Sequence, residues 1–483
     1  MTAPAPDPGK ADVQRLIVYT YRLRRSRHFV LQVKDPAKAR SFIWSLVNER
    51  FIANASVDHE AVTRLNDDGF CPTHIGFTFR GLEKLELDVP YLRVFQEKAK
   101  AFAEGAVPRA ARRLADVGSS AAPSWDPRFA QDDAHVLLCT YADEESELDQ
   151  FEARLKGLPD AQEGLKGWNL PFKGRSLTTA AGTRVEHFGF RDGISNPRIR
   201  GFHEWRSGPK LHEPGEFLLG YRNDSRFNPW LLVNPWPRPN PWLLPLNPAC
   251  QLREFFRNGS FAAFRQMQQD VGSFRDSVDI WADQLGGGRD QDKWREYVRA
   301  KLSGRWSSGA VVRPGETEND APAAPPADLN DFDFLNDKKA LGCPFGAHIR
   351  RMNPRSDPVV PLRGRPVIRR GMPYGPTFDE EEKAERGLLG LFFCASLEDQ
   401  VEHLLVEWGN ANPMGPANRG DSKDPLVGNR PNPRAVFDIP IPGENLRQLD
   451  GFRQYVTTRG TLYAFFPSLT TIGRIAFCGT PAS

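Results

Sequence analysis

Short apolar runs rich in β-branched and aromatic residues recur along the whole chain, and they constrain its fold more than any other feature. Runs of this kind, bounded by turn residues, predict β-strands. They lie at residues 13–20, 28–33, 74–79, 135–141, 185–190, 215–221, 260–266, 366–371, 389–396 and 461–466. None approaches the roughly 18–20 apolar residues of a membrane-spanning helix, so no membrane partner is expected.

Helical patterns separate these runs at irregular intervals. Residues 36–51 place Phe42, Leu46 and Phe51 at helical spacing, after a proline that suits a first turn. Further helices are predicted at residues 81–87, 144–158, 266–285, 293–306 and 397–410. Because strands and helices do not alternate as regularly as in a doubly wound sheet, the pattern favours an α+β fold.

Length and charge limit the class of protein. A chain of 483 residues exceeds one ordinary hydrophobic core, so two domains of roughly 150–250 residues are expected. The net charge is only +3, from 64 Lys and Arg against 61 Asp and Glu, which gives no reason to expect a nucleic-acid partner. The six cysteines are scattered without a CxxC pair and no signal peptide is visible, so a cytoplasmic protein with reduced thiols is expected.

Turn-rich stretches predict three long loops, which often line or cover a site in a compact protein. They lie at residues 228–248, 314–331 and 410–433. The first loop contains Trp230, Trp236 and Trp242 among prolines. Packing of these rings against proline is the preferred interpretation, and a role in relaying electrons from the surface is the alternative.

The nine histidines form no HxH, HExxH or His/Cys cluster, so a zinc or di-iron site built only from side chains is poorly supported. A lone histidine is usually a hydrogen-bonded structural residue. A single histidine can nevertheless hold a metal when a cofactor supplies the other ligands, as haem does with its four pyrrole nitrogens. In the segment CPFGAHIRRMNPR, Cys343 and His348 could supply two metal ligands at most.

Peroxide chemistry at a haem requires a group that moves a proton and a fixed cation that offsets developing charge. Asp192 follows an apolar run and lies between Gly189 and Gly193, where a large planar ligand could approach the backbone. Arg369 and Arg370 end a predicted strand, so their side chains point to opposite faces. Taken alone, an Asx-turn and a solvated basic strand end are the more common explanations.

Three segments together resemble the dye-decolorizing peroxidases. GFRDG at 189–193 is similar to the distal aspartate motif of that family, CPFGAHIRRMNPR at 343–355 to its proximal histidine segment, and VIRRGMPYG at 367–375 to its distal arginine segment. Further blocks resemble the family in the same order, at residues 76–86, 257–274 and 386–408.

The resemblance implies two ferredoxin-like domains, each an antiparallel sheet with peripheral helices. Residues 1–205 would form the domain that carries GFRDG. Residues 206–483 would form the haem-binding domain, with one haem b between its sheet and its helices. The implied activity is reduction of hydrogen peroxide through a ferryl intermediate, followed by one-electron oxidation of dyes, phenolics or other organic donors. Homo-oligomers are common in the family, so a homo-oligomer is left open.

The resemblance also assigns site residues. His348 becomes the proximal iron ligand, and Asp192 and Arg369 the distal catalytic pair. Arg355 would pair with a haem propionate, with a surface arginine as the alternative, and Leu391 and Phe393 would wall the distal pocket. A hydrogen-bond acceptor should fix Nδ1 of His348. No residue is singled out for it, but the 410–433 loop, where the chain departs from simpler relatives, is one region in which it could lie.

Two other functions remain as alternatives. A protein that only binds haem, or strips iron from it, would use His348 but would not need Asp192 and Arg369, so their presence favours the enzyme. A haem-free α+β protein that contacts phosphates through RRMNPR is opposed by the nearly neutral net charge.

Overall fold

The computed structural model describes residues 9–56, 70–204, 211–225, 248–322, 329–359, 364–414, 423–429, 435–444 and 446–477. The predicted loop that holds Trp230, Trp236 and Trp242 lies outside these ranges. Among the described residues, no helix is both long and apolar enough to cross a bilayer.

Thirteen strands are formed by the described residues. In chain order they are β1 Arg25–Val33, β2 Thr73–Phe77, β3 Val136–Ala142, β4 Leu165–Lys166, β5 Phe172–Arg175, β6 Leu177–Thr178, β7 Arg184–Val185, β8 Ser260–Gln269, β9 Ile368–Tyr374, β10 Gly387–Cys394, β11 Phe437–Ile439, β12 Arg447–Leu449 and β13 Val456–Phe466. Nine of them form one sheet in the order β4-β1-β3-β2-β13-β8-β10-β9, with β5 also paired to β1.

The large sheet joins an N-terminal half, β1 to β5, to a C-terminal half, β8 to β10 and β13. The pairings between these strands are antiparallel. The two halves meet where Phe465 of β13 pairs with Phe77 of β2. This architecture confirms the predicted α+β class, while the proposed domain boundary near residue 205 stays a prediction.

Helices pack around the sheet. The α-helices are Arg15–Val18, Pro36–Asn48, Phe79–Lys84, Val89–Lys98, Lys100–Glu104, Ala110–Arg113, Glu145–Lys156, Ala161–Gly164, Pro248–Phe256, Val271–Gly286, Gln291–Ser303, His348–Met352 and Leu469–Phe477. The amphipathic segment predicted at 397–410 is helical with π-type hydrogen bonds, over Leu397–Glu402 and Leu404–Gly409. The helix predicted from residue 266 begins only at Val271, because β8 continues through Gln269 and Asp270 caps the helix.

Three predicted strands are wrong. Within residues 13–20 the chain forms a buried helical turn. The prediction failed because a short apolar run that is buried on all sides has the same sequence pattern in a helix and in a strand. Residues 215–221 begin with a 3₁₀ turn, Pro214–Glu216. Residues 185–190 leave the strand conformation after Val185, because the carboxylate of Glu186 accepts the backbone N–H groups of Phe188 and Phe190 and bends the chain.

Helix Phe79–Lys84 lies so close to β3 that only glycine fits at one position. Thr78 caps this helix, accepting the N–H of Gly81 at 2.9 Å and donating to the carbonyl of Ala134 at 2.7 Å. A Cβ added to Gly81 would lie 2.0 Å from the carbonyl oxygen of His135. The helix and the chain at the start of β3 therefore touch through their backbones.

We expect Gly81→Ala to destabilise the fold by about 1–3 kcal/mol, because neither backbone can move without breaking hydrogen bonds. Gly473→Ala is the matched control, since Gly473 is also helical and a Cβ there would meet nothing within 4 Å. This control should be neutral or stabilising by about 0.5–1 kcal/mol. Denaturant unfolding of the two variants measures the difference, and equal midpoints would contradict the close approach.

Candidate active site

A cavity of about 1650 Å³ lies against one face of the C-terminal half of the sheet. This volume exceeds the roughly 300–1,000 Å³ of ordinary ligand pockets. Asp192, His348, Arg355 and Arg369 all line it. Four of the six residues predicted for the site are therefore brought to one cavity, although up to 177 residues separate them in sequence (369 − 192).

His348 begins helix His348–Met352 and is held by a buried carboxylate. Its Nδ1 lies 2.8 Å from Oδ2 of Asp424. The other oxygen of Asp424 accepts the N–H groups of Leu426 and Val427 at 2.9 and 3.0 Å. An ionised carboxylate only accepts hydrogen bonds, so Nδ1 carries the proton and neutral His348 has its lone pair on Nε2.

Asp424 is the acceptor for which the sequence analysis named no residue, and it lies within the 410–433 segment. Burial alone would raise the pKa of Asp424, but the neighbouring His348 and Arg351 and the N–H of Val427 outweigh it and hold the pKa at about 2. The carboxylate is therefore ionised at neutral pH. A single aspartate in a turn-rich stretch gives no local signal of this role, because its partner is 76 residues away.

Arg369 and Arg370 diverge as strand geometry predicts. Nη2 of Arg369 donates to Oγ of Ser195 at 2.6 Å, and its backbone N–H donates to Oδ1 of Asn196 at 2.8 Å. The side chain of Arg369 stays exposed to the open cavity. Desolvation by the surrounding protein lowers the pKa of Arg369, and the charge of Asp192 partly offsets that effect. Arg370 points to the other side of the sheet, where Nε donates to the carbonyl of Leu16 at 2.7 Å.

Asp192 lies against the same face of β9. Its Oδ1 accepts the N–H of Gly193 at 2.6 Å. Its Oδ2 is 3.1 Å from the position that a Cβ would take on Gly371. Because residues 369 and 371 of one strand share a face, the carboxylate and the Arg369 guanidinium belong to the same wall of the cavity. Any side chain at Gly371 would displace that carboxylate.

The prediction that Leu391 and Phe393 wall the pocket is wrong. Both are buried in the core on the other side of β10, where the ring of Phe393 packs 5.0 Å from that of Phe466. The residue paired with Arg369 across the strands is Phe392, whereas Leu391 is paired with Arg370. Cross-strand partners share a face, so Phe392 and, four residues before it, Leu388 line the cavity instead.

Arg355 meets a second arginine that the sequence analysis did not identify. Nη2 of Arg355 and Nη2 of Arg305 both donate to Oδ1 of Asn330, at 3.2 and 3.0 Å. Both guanidiniums lie over the ring of Phe332, at 4.0 and 5.0 Å. Burial, followed by the charge of Arg355, lowers the pKa of Arg305 to about 10. Two cations this close would favour an anionic ligand.

The predicted loops contribute to the cavity where they are described. Pro314, Glu316 and Leu329 line it from the 314–331 segment, and Leu426 and Asn429 from the 410–433 segment. Cys343 is buried, and burial raises the pKa of its thiol to about 12. It therefore remains a protonated thiol, as expected of a structural residue.

The known proteins that the chain resembles in sequence are dye-decolorizing peroxidases. No protein-family model matches the chain. A dye-decolorizing peroxidase of Mycetinis scorodonius is 28% identical over 497 residues, which cover 95% of this chain and 86% of that protein. A multifunctional dye peroxidase of an Amycolatopsis strain is 28% identical over 453 residues, covering 90% of this chain and 89% of that protein.

Among solved structures, a dye-decolorizing peroxidase in complex with 2,6-dimethoxyphenol superposes with a TM-score of 0.75 and 23% identity. The match covers 97% of this chain and 99% of that one. At that identity the likeness establishes the fold, and it confirms the predicted architecture of two ferredoxin-like domains.

Substitutions of the neighbouring residues Phe392 and Phe393 test which face of β10 lines the cavity. We expect Phe393→Ala to cost about 3–5 kcal/mol of unfolding free energy, because it empties a closed part of the core. Phe392→Ala should cost clearly less, since that ring already faces open space. Denaturant unfolding of both variants provides the comparison, and an equal or larger loss at Phe392 would argue against this assignment of faces.

Proposed function

We propose that this chain is a dye-decolorizing peroxidase, a haem-dependent enzyme that reduces hydrogen peroxide and oxidises dyes, phenols or other organic donors in one-electron steps. The observation that carries the proposal is that Asp192 and Arg369 share one wall of the cavity that His348, held by Asp424, also lines. The cofactor is one haem b per chain.

The residues around the cavity fit such a group. His348 offers Nε2 to the iron, since Asp424 holds the proton on Nδ1. Arg305 and Arg355 would hold the two propionate carboxylates. Apolar side chains would surround the ring, among them Ile349, Met352, Leu388, Phe392 and Leu404. When bound, haem supplies an iron that binds peroxide and takes up its two oxidising equivalents.

Asp192 and Arg369 would act on the peroxide itself. Asp192, as a carboxylate, takes the proton from one peroxide oxygen and returns it to the other, which leaves as water. Arg369 offsets the negative charge that develops as the O–O bond breaks. Ser195 and Asn196 hold Arg369 in place, so its guanidinium does not have to reorganise during the reaction.

Phenolic donors are supported by a relative of known structure that is in complex with 2,6-dimethoxyphenol. A protein that binds haem, or releases its iron, without peroxidase turnover is the alternative. It has no need for a carboxylate and an arginine fixed side by side, so the Asp192 and Arg369 arrangement favours the enzyme. The cytoplasmic location and a homo-oligomeric state stay predictions.

An absorption spectrum of the haem-loaded protein, before and after one equivalent of peroxide, tests the function. We expect the Soret band to fall and shift, then to recover when a phenolic donor is added. A Soret band that never responds to peroxide would support the haem-binding alternative. Absence of a Soret band after reconstitution with haem would refute both.

Substitution of the distal pair tests the residue roles. Asp192→Asn and Arg369→Leu should each slow the reaction with peroxide by about 10²–10⁴-fold, because the first removes the proton carrier and the second the fixed cation. Stopped-flow absorption measures this rate. Arg447→Leu is the matched control, because Arg447 lies on the small β11–β12 sheet and pairs with Glu444. Wild-type rates in both distal variants would contradict the assignment.

A further inference from the structure

A second histidine–carboxylate pair lines the same cavity, and the proposed reaction with peroxide does not use it. Nδ1 of His212 lies 2.8 Å from Oδ2 of Asp224. The side chains of both residues are largely buried and both line the cavity. The pair repeats the arrangement of His348 and Asp424, but here no role has been assigned to the second ring nitrogen.

The contacts of Asp224 decide where the proton of His212 lies. Oδ1 of Asp224 accepts the backbone N–H of Glu213 at 2.8 Å, and Oδ2 accepts from His212. An ionised carboxylate cannot donate, so Nδ1 of neutral His212 carries the hydrogen and Nε2 keeps a lone pair. Within the described part of the chain, no hydrogen-bond donor reaches that Nε2. His212 is therefore fixed in orientation as a base.

Further contacts hold the residues next to the pair. Arg200 pairs with Glu213, with Nε 2.9 Å from Oε1. Glu216 accepts the backbone N–H of Asp224 at 2.9 Å. These contacts help to fix Asp224 beside His212, where its carboxylate can stabilise a protonated imidazole ring.

A short stretch of chain connects the His212–Asp224 pair to Arg369. Asn196 binds the N–H of Arg369, and the carbonyl of Arg198 accepts the N–H of His212 at 2.8 Å. Only Pro197 separates Asn196 from Arg198, so their Cα atoms are at most roughly 7 Å apart. Arg198 itself lines the cavity, and its Nη1 is buried without a partner among the described residues. This part of the wall therefore contains a histidine base and an arginine with one unsatisfied donor.

A purely structural histidine nearby shows the contrast. Nδ1 of His203 accepts the backbone N–H of Ile199 at 3.0 Å, and its ring packs 5.3 Å from that of Tyr19. His203 does not line the cavity, whereas His212 does. A structural role accounts for His203 and leaves Nε2 of His212 unexplained.

We propose that His212 and Asp224 form the proton acceptor for phenolic donors bound in this cavity. The inference rests on the proposed peroxidase function, which supplies the oxidant. A phenol keeps its proton at neutral pH, since its pKa is near 10. When it gives one electron to the oxidised site, its O–H bond breaks, an N–H bond forms at Nε2 of His212, and a phenoxyl radical leaves. The imidazolium, held by Asp224, then releases the proton to water.

Two donors separate proton acceptance from electron transfer. Phenol loses a proton when it is oxidised, whereas ferrocyanide loses an electron only. In His212→Gln the amide can still hydrogen-bond a phenol but cannot take its proton. We expect the ratio of phenol turnover to ferrocyanide turnover to fall at least about tenfold relative to the wild-type holoenzyme, with a changed solvent deuterium isotope effect on phenol turnover. His403→Gln, a histidine outside the cavity lining, is the control.

Binding to the resting holoenzyme provides a readout independent of turnover. Titrations followed by absorption compare phenol with anisole, which has no O–H to donate. His212→Leu should raise the dissociation constant of phenol about fivefold and leave that of anisole unchanged, because one hydrogen bond is lost. His212→Gln should bind phenol nearly as tightly as the wild type.

The outcomes distinguish this inference from the function on which it rests. If the wild-type holoenzyme oxidises neither donor with peroxide, the peroxidase proposal itself is wrong. If ferrocyanide is oxidised but His212→Gln leaves phenol turnover unchanged, only the role of His212 is overturned. Equal losses for both donors would also overturn it, because they would indicate a general disturbance of the site. A selective loss for phenol with binding retained supports it.

Discussion

Alternation along strand β9 sends two adjacent arginines to opposite sides of one sheet, and both halves of the molecule depend on it. Arg369 reaches the cavity, where Ser195 and Asn196 hold it. Arg370 reaches the N-terminal half, where the carbonyls of Leu16 and Ile17 accept its hydrogens. The same strand thus directs Arg369 to the cavity and joins Arg370 to the start of the chain.

A carboxylate that accepts from Nδ1 of a histidine occurs twice around this cavity, fully buried at Asp424 and partly buried at Asp224. Asp424 orients His348 and Asp224 orients His212, and in each case a backbone N–H engages the other carboxylate oxygen. The carboxylates therefore determine which ring nitrogen is available, and the environment of that nitrogen determines its use. His348 lines the cavity together with Arg305 and Arg355, and His212 lines it together with Asp192 and Arg369.

Much of the fold and part of the site could be predicted from local sequence. β3, β8 and β13 follow from runs of apolar residues, and Asp192, His348 and Arg369 from short segments with a family resemblance. The sequence could not predict which face of β10 lines the cavity. Both sets of alternate residues in LLGLFFC are apolar, so neither face of the strand is the more polar one. Asp424 and Arg305 were missed because their roles come only from contacts distant in sequence.

The pairing of His348 with Asp424 spans 76 residues, and that of Arg370 with Leu16 spans 354. Closing such loops costs chain entropy before any contact repays it, so long-range contacts of this kind form slowly. During synthesis, His348 leaves the ribosome well before Asp424, with neither ring nitrogen yet fixed. The orientation of the His348 ring is thus a late product of folding, and until Asp424 arrives either ring nitrogen of His348 can carry the proton.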